Sequence, residues 1–156
     1  MHIHRLEKIW LLFGTGMLIV FLTVVGVGAF ALGMEPPGHH RHTVDPEKLS
    51  TTEPFNRPGL HAIGGNAYEA NIIAFTFSYS PSIMEVPLGA KVTFNVTTPD
   101  VVHGFQVVGT NINMMVVPGE VNHLTYTFDK PGEYLVLCNE YCGAAHEAMM
   151  MKIIVK

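Results

Sequence analysis

Two thiols, an imidazole and a thioether lie close together near the C-terminal end of this 156-residue chain, in Cys138-Asn-Glu-Tyr-Cys142-Gly-Ala-Ala-His146-Glu-Ala-Met149. Both cysteines of the protein fall in this run, four positions apart. A second imidazole, His103, sits upstream in the turn-like stretch Pro99-Asp-Val-Val-His103-Gly104. Thiolate and thioether sulfur favour Cu(I), while imidazole serves copper in either oxidation state. The donor set therefore suits copper better than zinc, calcium or magnesium, and suits it to redox cycling.

A mononuclear blue-copper site needs one Cys, two His and a weak axial Met. The extra Cys makes that count awkward. Two thiolates that each bridge two copper ions would use both cysteines and leave His103 and His146 as one terminal ligand each. Met149 and a backbone carbonyl remain as weak axial groups. Met150 and Met151 compete with Met149 locally, and spacing from His146 favours Met149.

These donors need a scaffold that fixes them in both redox states. From Tyr68 onward the chain reads as short strand-like runs: Ala70–Phe77, Ile83–Val86, Lys91–Thr97, Gly104–Val108, Met114–Val117, His123–Phe128, Glu133–Leu137 and Met149–Val155. Val92, Phe94 and Val96 alternate onto one face. Turn signals such as Pro87-Leu-Gly89, Val117-Pro-Gly119 and Lys130-Pro-Gly132 separate the runs. Many short strands at this spacing predict a mainly β chain folded as a sandwich. Cys138 would end one strand, Met149 would begin the last, and the other loop ligands would ride the connection.

Ahead of the sandwich, Ile9 to Leu32 contains no charged residue and exceeds the roughly 20 residues that span a bilayer as a helix. Arg5 and Lys8 precede it, which by the positive-inside rule puts the N-terminus in the cytoplasm and the rest outside. Ala29-Phe30-Ala31 resembles a signal-peptidase site, but the apolar run is longer than an ordinary signal core. Either reading exports the copper loop. The expected organisation is a cytoplasmic N-terminus (1–8), a transmembrane helix (9–32), a Pro-, Gly- and His-rich connector (33–66) and an extracytoplasmic domain (67–156). His39, His40 and His42 of the connector, and His61 and His123, read as solvated side chains without a partner pattern. A net charge of −4 offers nothing to nucleic acid and suits a basic protein partner.

The loop resembles the Cys-x-Glu-x-Cys-Gly-x-x-His-x-x-Met signature of subunit II of the haem–copper cytochrome c oxidases, and His103 occupies the Val-Val-His-Gly-Phe setting of that family's first histidine. The resemblance runs from about Phe75 to Lys156. It implies a cupredoxin Greek-key sandwich and a dinuclear copper (CuA) centre. Cys138 and Cys142 would bridge, His103 and His146 would be terminal, Met149 would supply the thioether and Glu140 a backbone carbonyl. The Glu140 carboxylate would also help hold magnesium against subunit I. The implied partners are a haem-bearing subunit I, a cytochrome c donor and the prokaryotic plasma membrane.

Two features resemble the short ba3-type branch: a single span, and the absence of a tryptophan-rich strand, since the only Trp is Trp10 in the anchor. The corresponding stretch reads Phe75-Thr-Phe77-Ser-Tyr79, with Phe77 as the substitute point at which an electron enters. Glu7, at the cytoplasmic start of the helix, matches the residue that borders proton uptake in that branch. The alternatives are a membrane-anchored copper chaperone and a stand-alone cupredoxin carrier. For the cysteines taken alone, the alternative is a disulfide.

Overall fold

The apolar run folds as helix α1 (Arg5–Gly26), which continues through π-type turns at Val27–Ala31. It starts four residues before the expected Ile9 because its first turn is capped. His4 Nδ1 accepts the Leu6 N–H at 3.3 Å, and the Glu7 carboxylate accepts the His4 N–H at 3.3 Å. These bonds satisfy donors that a helix start leaves unpaired. Every helical side chain from Val24 back to Arg5 is exposed, and the surface is apolar all round. A helix of that character has the composition of a membrane span. Its 27 residues rise roughly 40 Å at ~1.5 Å per residue, enough to cross a ~30 Å hydrocarbon core.

The computed structural model describes residues 4–31 and 42–156, so Leu32, His39 and His40 of the sequence reading lie outside the described residues. Beyond the helix, the chain forms a separate β unit. Its strands are β1 (His42–Thr43), β2 (Gly59–Gly64), β3 (Ala67–Phe75), β4 (Ser78–Ser80), β5 (Ile83–Val86) and β6 (Lys91–Thr97). They continue as β7 (His103–Val107), β8 (Asn113–Val116), β9 (Glu120–Thr127), β10 (Gly132–Leu137) and β11 (Met150–Val155). One sheet has the order β1-β9-β6-β3-β2, with β4 also paired to β3, and the other β5-β11-β10-β7-β8. Pairing is parallel between β3 and β6 and between β11 and β5, and antiparallel elsewhere.

Alternation builds the core. Val92, Phe94 and Val96 point inward from β6 and meet Phe105 and Val107 of β7 and Val136 of β10. Tyr79, Phe105, Phe94 and Phe128 form a chain of rings with centroids 5.8–6.3 Å apart. Each such pair contributes ~0.5–1.5 kcal/mol beyond its buried area.

The expected connector is corrected in its second half. Residues 44–57 fold over the outer face of the first sheet, where Leu49 and Phe55 bury against Val121, Val44 and Ile73. Asp45 caps a short 3-10 turn there, accepting the Glu47 N–H at 3.1 Å. Residues 59–64 are the edge strand β2. Strand periodicity is weak in that stretch because β2 is short and half exposed.

Candidate metal centre

The ligand loop leaves β10 and returns on β11. Leu137 pairs with Met150, and the Cys138 N–H donates to the Met149 carbonyl at 3.3 Å, closing the loop at its base. Met149 is thus the last loop residue and not the first of the strand. It is only 1% exposed, as is Met151, while Met150 faces out. His103 begins β7, and β7 pairs with β10, which brings it beside Cys138.

The geometry gathers all six expected donors. Cys138 Sγ lies 3.8 Å from Cys142 Sγ, 3.9 Å from His103 Nδ1 and 3.1 Å from the Glu140 carbonyl oxygen. Cys142 Sγ lies 3.5 Å from His146 Nδ1 and 3.6 Å from Met149 Sδ. Among the described residues, His103, Cys138 and Cys142 bring three donor atoms within 4.8 Å of one another, and all three are buried. His146 stands slightly apart, half-buried, with its ring against Tyr141.

Both cysteines are free. Their sulfurs are much farther apart than the ~2.05 Å of a disulfide. The gap is one that two ~2.3 Å metal–sulfur bonds can bridge. Burial pushes the Cys142 thiol up, neighbouring Cys138 adds to this, and the Phe77 N–H pulls partly back. Two buried sulfurs in contact resist becoming a pair of thiolates without a cation between them. The donor chemistry therefore fits a soft metal.

Sequence reasoning missed the support around these donors. His103 is fully buried, and its Nε2 lies 2.8 Å from Asp100 Oδ1. Nε2 therefore carries the proton and Nδ1 is left as the metal-facing lone pair. Asp100 in turn accepts from the Thr76 hydroxyl, from the Thr76 N–H at 2.6 Å and from the Val101 N–H at 2.6 Å. Burial alone would raise its carboxyl, but the bonds from Thr76, His103 and Val101 outweigh that and hold it well below the usual range. An Asp three residues before the His was the available signal. The Gly104 N–H donates to Cys138 Sγ at 3.4 Å, and the buried Tyr79 hydroxyl donates to the Gly104 carbonyl at 2.5 Å.

Phe77 lies in a turn and not in a strand, since Phe75 pairs with Ser78 across Thr76 and Phe77. Its φ is 70°, in the left-handed region, which costs a non-glycine residue ~1–2 kcal/mol. The ring is 39% exposed, and its inner edge would lie 3.1 Å from a Cβ placed on Gly143. Gly143, at φ 134°, lets the ligand loop pass under this ring. The sequence-predicted Glu7 belongs to the helix unit, where its carboxylate takes part in the cap.

A β-sandwich carrying a buried sulfur–imidazole cluster between its last strands defines a cupredoxin-like metal domain. A copper-binding protein solved in its apo form shares this fold, with a TM-score of 0.50 and 14% identity over 63% of this chain and 95% of that one. Residues 76–156 match the family of the cytochrome c oxidase subunit II periplasmic domain. A cytochrome c oxidase subunit 2 from Thermus thermophilus is 43% identical over 154 residues, spanning 96% of this chain and 91% of the relative. Another Thermus thermophilus subunit 2 is 45% identical over 77% of this chain and 90% of its own length. A chain from the cryo-EM structure of a heme-copper terminal oxidase dimer superposes with a TM-score of 0.78 at 33% identity, covering 97% of this chain and all of that one.

The chain belongs to the cytochrome c oxidase subunit II family and is a subunit of a haem–copper terminal oxidase, an oxidoreductase complex. Its residues 76–156 are the periplasmic domain of that family, preceded by one helix long and apolar enough to cross a membrane.

Proposed function

We propose that this chain is the subunit through which electrons enter the oxidase, and that its domain holds a dinuclear copper centre. The observation that carries the reading is the adjacency of two free, buried cysteines, each facing its own imidazole Nδ1. One sulfur pair shared by two terminal histidines is the donor count of a pair of metals. When bound, the copper pair supplies a one-electron carrier. Cys138 and Cys142 would bridge it, His103 and His146 would complete one ion each, and Met149 and the Glu140 carbonyl would be the weak ligands.

The protein's part is to hold these donors still. Asp100 fixes the His103 tautomer, Gly104 feeds a hydrogen bond to Cys138, and the sandwich excludes water from both sulfurs. A rigid donor cage lowers the reorganisation that accompanies each electron. Phe77 and Tyr141 flank the loop with exposed rings, 39% and 80% accessible, and a reduced cytochrome c docking there would meet an aromatic surface directly over the ligands. The electron then passes to haem in subunit I. The helix is placed in the prokaryotic plasma membrane with its N-terminus in the cytoplasm, following Arg5 and Lys8. Proton uptake past Glu7 and magnesium binding by the Glu140 carboxylate rest on the family resemblance.

Electron paramagnetic resonance of the copper-loaded full chain in detergent tests the reading. One unpaired electron shared equally over two copper nuclei gives a richer hyperfine pattern than one confined to a single nucleus. The shared pattern, lost in both Cys138→Ser and Cys142→Ser, is expected. A single-copper spectrum, or copper that leaves readily as Cu(I), would replace the reading with a mononuclear carrier or a chaperone.

A further inference from the structure

A second group of donor side chains lies on the outer face of the first sheet, away from both cysteines. Asn71, Asn95 and His123 stand in one cross-strand row on β3, β6 and β9, and Glu69 lies two residues before Asn71 on β3. His42 comes from β1, which pairs with β9, and its ring meets that of His123 edge to face with centroids 5.0 Å apart. His42, His123, Glu69 and Asn95 line a cavity of about 230 Å³ beneath the segment 44–57.

The hydrogen bonds fix the state of His123. The Asn95 amide nitrogen donates to Glu69 Oε1 at 2.6 Å and to Asn71 Oδ1 at 2.8 Å, so its oxygen must be the atom 2.6 Å from His123 Nδ1. Asn95 Oδ1 has no proton to give, so His123 Nδ1 donates and Nε2 keeps its lone pair. Burial first, then neighbouring His42, lowers the His123 imidazole from its ordinary value against the pull of Glu69, which favours the neutral, ligating form. An imidazole whose second nitrogen donates to a side-chain oxygen is the usual outer-shell arrangement of a metal ligand. Two imidazoles on one tetrahedral ion, with metal–nitrogen bonds of ~2.0–2.1 Å, place their ring centres ~5 Å apart.

We propose that His42 and His123, closed by the Glu69 carboxylate, form a second, non-redox site for a borderline divalent transition-metal ion such as Zn2+. Two neutral imidazoles and a carboxylate suit such an ion and offer no sulfur to Cu(I). His123 presents its free Nε2. The three donor atoms do not yet lie within 4.8 Å of one another, so the exposed His42 ring and the Glu69 side chain turn to complete the set. The bound ion pins β1, where the described domain begins, onto β9. The proposal is independent of the copper reading.

The test titrates Zn2+ into the untagged full chain in detergent, with Cys138→Ser and Cys142→Ser removing the thiolates. One zinc per chain is expected, with shifts of the His42 and His123 ring resonances. His42→Gln and His123→Gln should each weaken binding at least tenfold, and Glu69→Gln by less. Both histidines are solvent-accessible, so these variants fold; if the double serine chain does not, the copper-loaded native chain takes its place. Absence of zinc binding, affinity unchanged by His123→Gln, or loss on His39→Gln/His40→Gln or His146→Gln instead would overturn the site.

Discussion

Asp100 Oδ1 sits 2.8 Å from His103 Nε2, tying a carboxylate to the ring edge opposite the cysteines. The same carboxylate takes two bonds from Thr76, whose neighbour Phe77 rests on the ligand loop. One side chain thus links the β3–β4 turn to His103 of the other sheet.

Asp100→Ala should therefore free the tautomer and orientation of His103. Outer-shell losses of this kind cost ~10–100-fold in metal affinity. Copper retention against a competing chelator measures the effect, and retention equal to the native chain would remove Asp100 from the centre's support.

Gly104→Ala should damage the centre through the backbone. A Cβ at Gly104 would lie 1.9 Å from Asn139 Oδ1 and 2.6 Å from the Asn139 nitrogen, the residue immediately after Cys138. The side chain can swing away, but the main chain cannot without moving Cys138. A stability loss of about 1–3 kcal/mol, the range for overpacking, should accompany reduced copper content. Thermal unfolding and metal analysis check both, and a native-like Tm with full copper would contradict the clash.

Phe77→Ala should slow reduction by a cytochrome c while leaving copper content intact. Phe77→Gly should do the same and recover ~1 kcal/mol from the left-handed turn. Stopped-flow reduction, read alongside Tm, separates the two effects. A native rate in both variants would take Phe77 off the path.

Stability should fall as the solution is acidified below neutral. The folded His123 imidazole lies below its ordinary 6.5, so the unfolded chain binds the proton first. The loss begins as pH drops through 6.5 and ends once the folded imidazole also protonates. His123→Gln should flatten this part of the Tm–pH curve, measured with chelator present. An unchanged slope would assign the acid sensitivity to other groups.

The donors were legible because five of the six expected ligands lie in one short run, and local spacing survives without knowledge of the fold. The strands Ile83–Val86 and Lys91–Thr97 match the sequence reading residue for residue, since alternation there reports a real inside and outside. What escaped was set by contacts across the sheets. Asp100 acquires its task only when the β3–β4 turn meets β7. His42 and His123 become neighbours only through β1–β9 pairing, so each looked solitary. Residues 44–57 bury only Leu49 and Phe55, too little apolar pattern to distinguish a cover from a linker.

The unequal split of the ligands along the chain bears on biogenesis. His103 precedes Cys138 by 35 positions and reaches it only when β7 aligns with β10. Until that pairing forms, Cys138, Cys142, His146 and Met149 would be the donors the nascent domain offers to Cu(I), without His103. Metal held by unfolded chains works against folding. Delivery after the strands have closed would avoid that trap, so the timing of copper supply, as well as its amount, would govern the yield of intact centres.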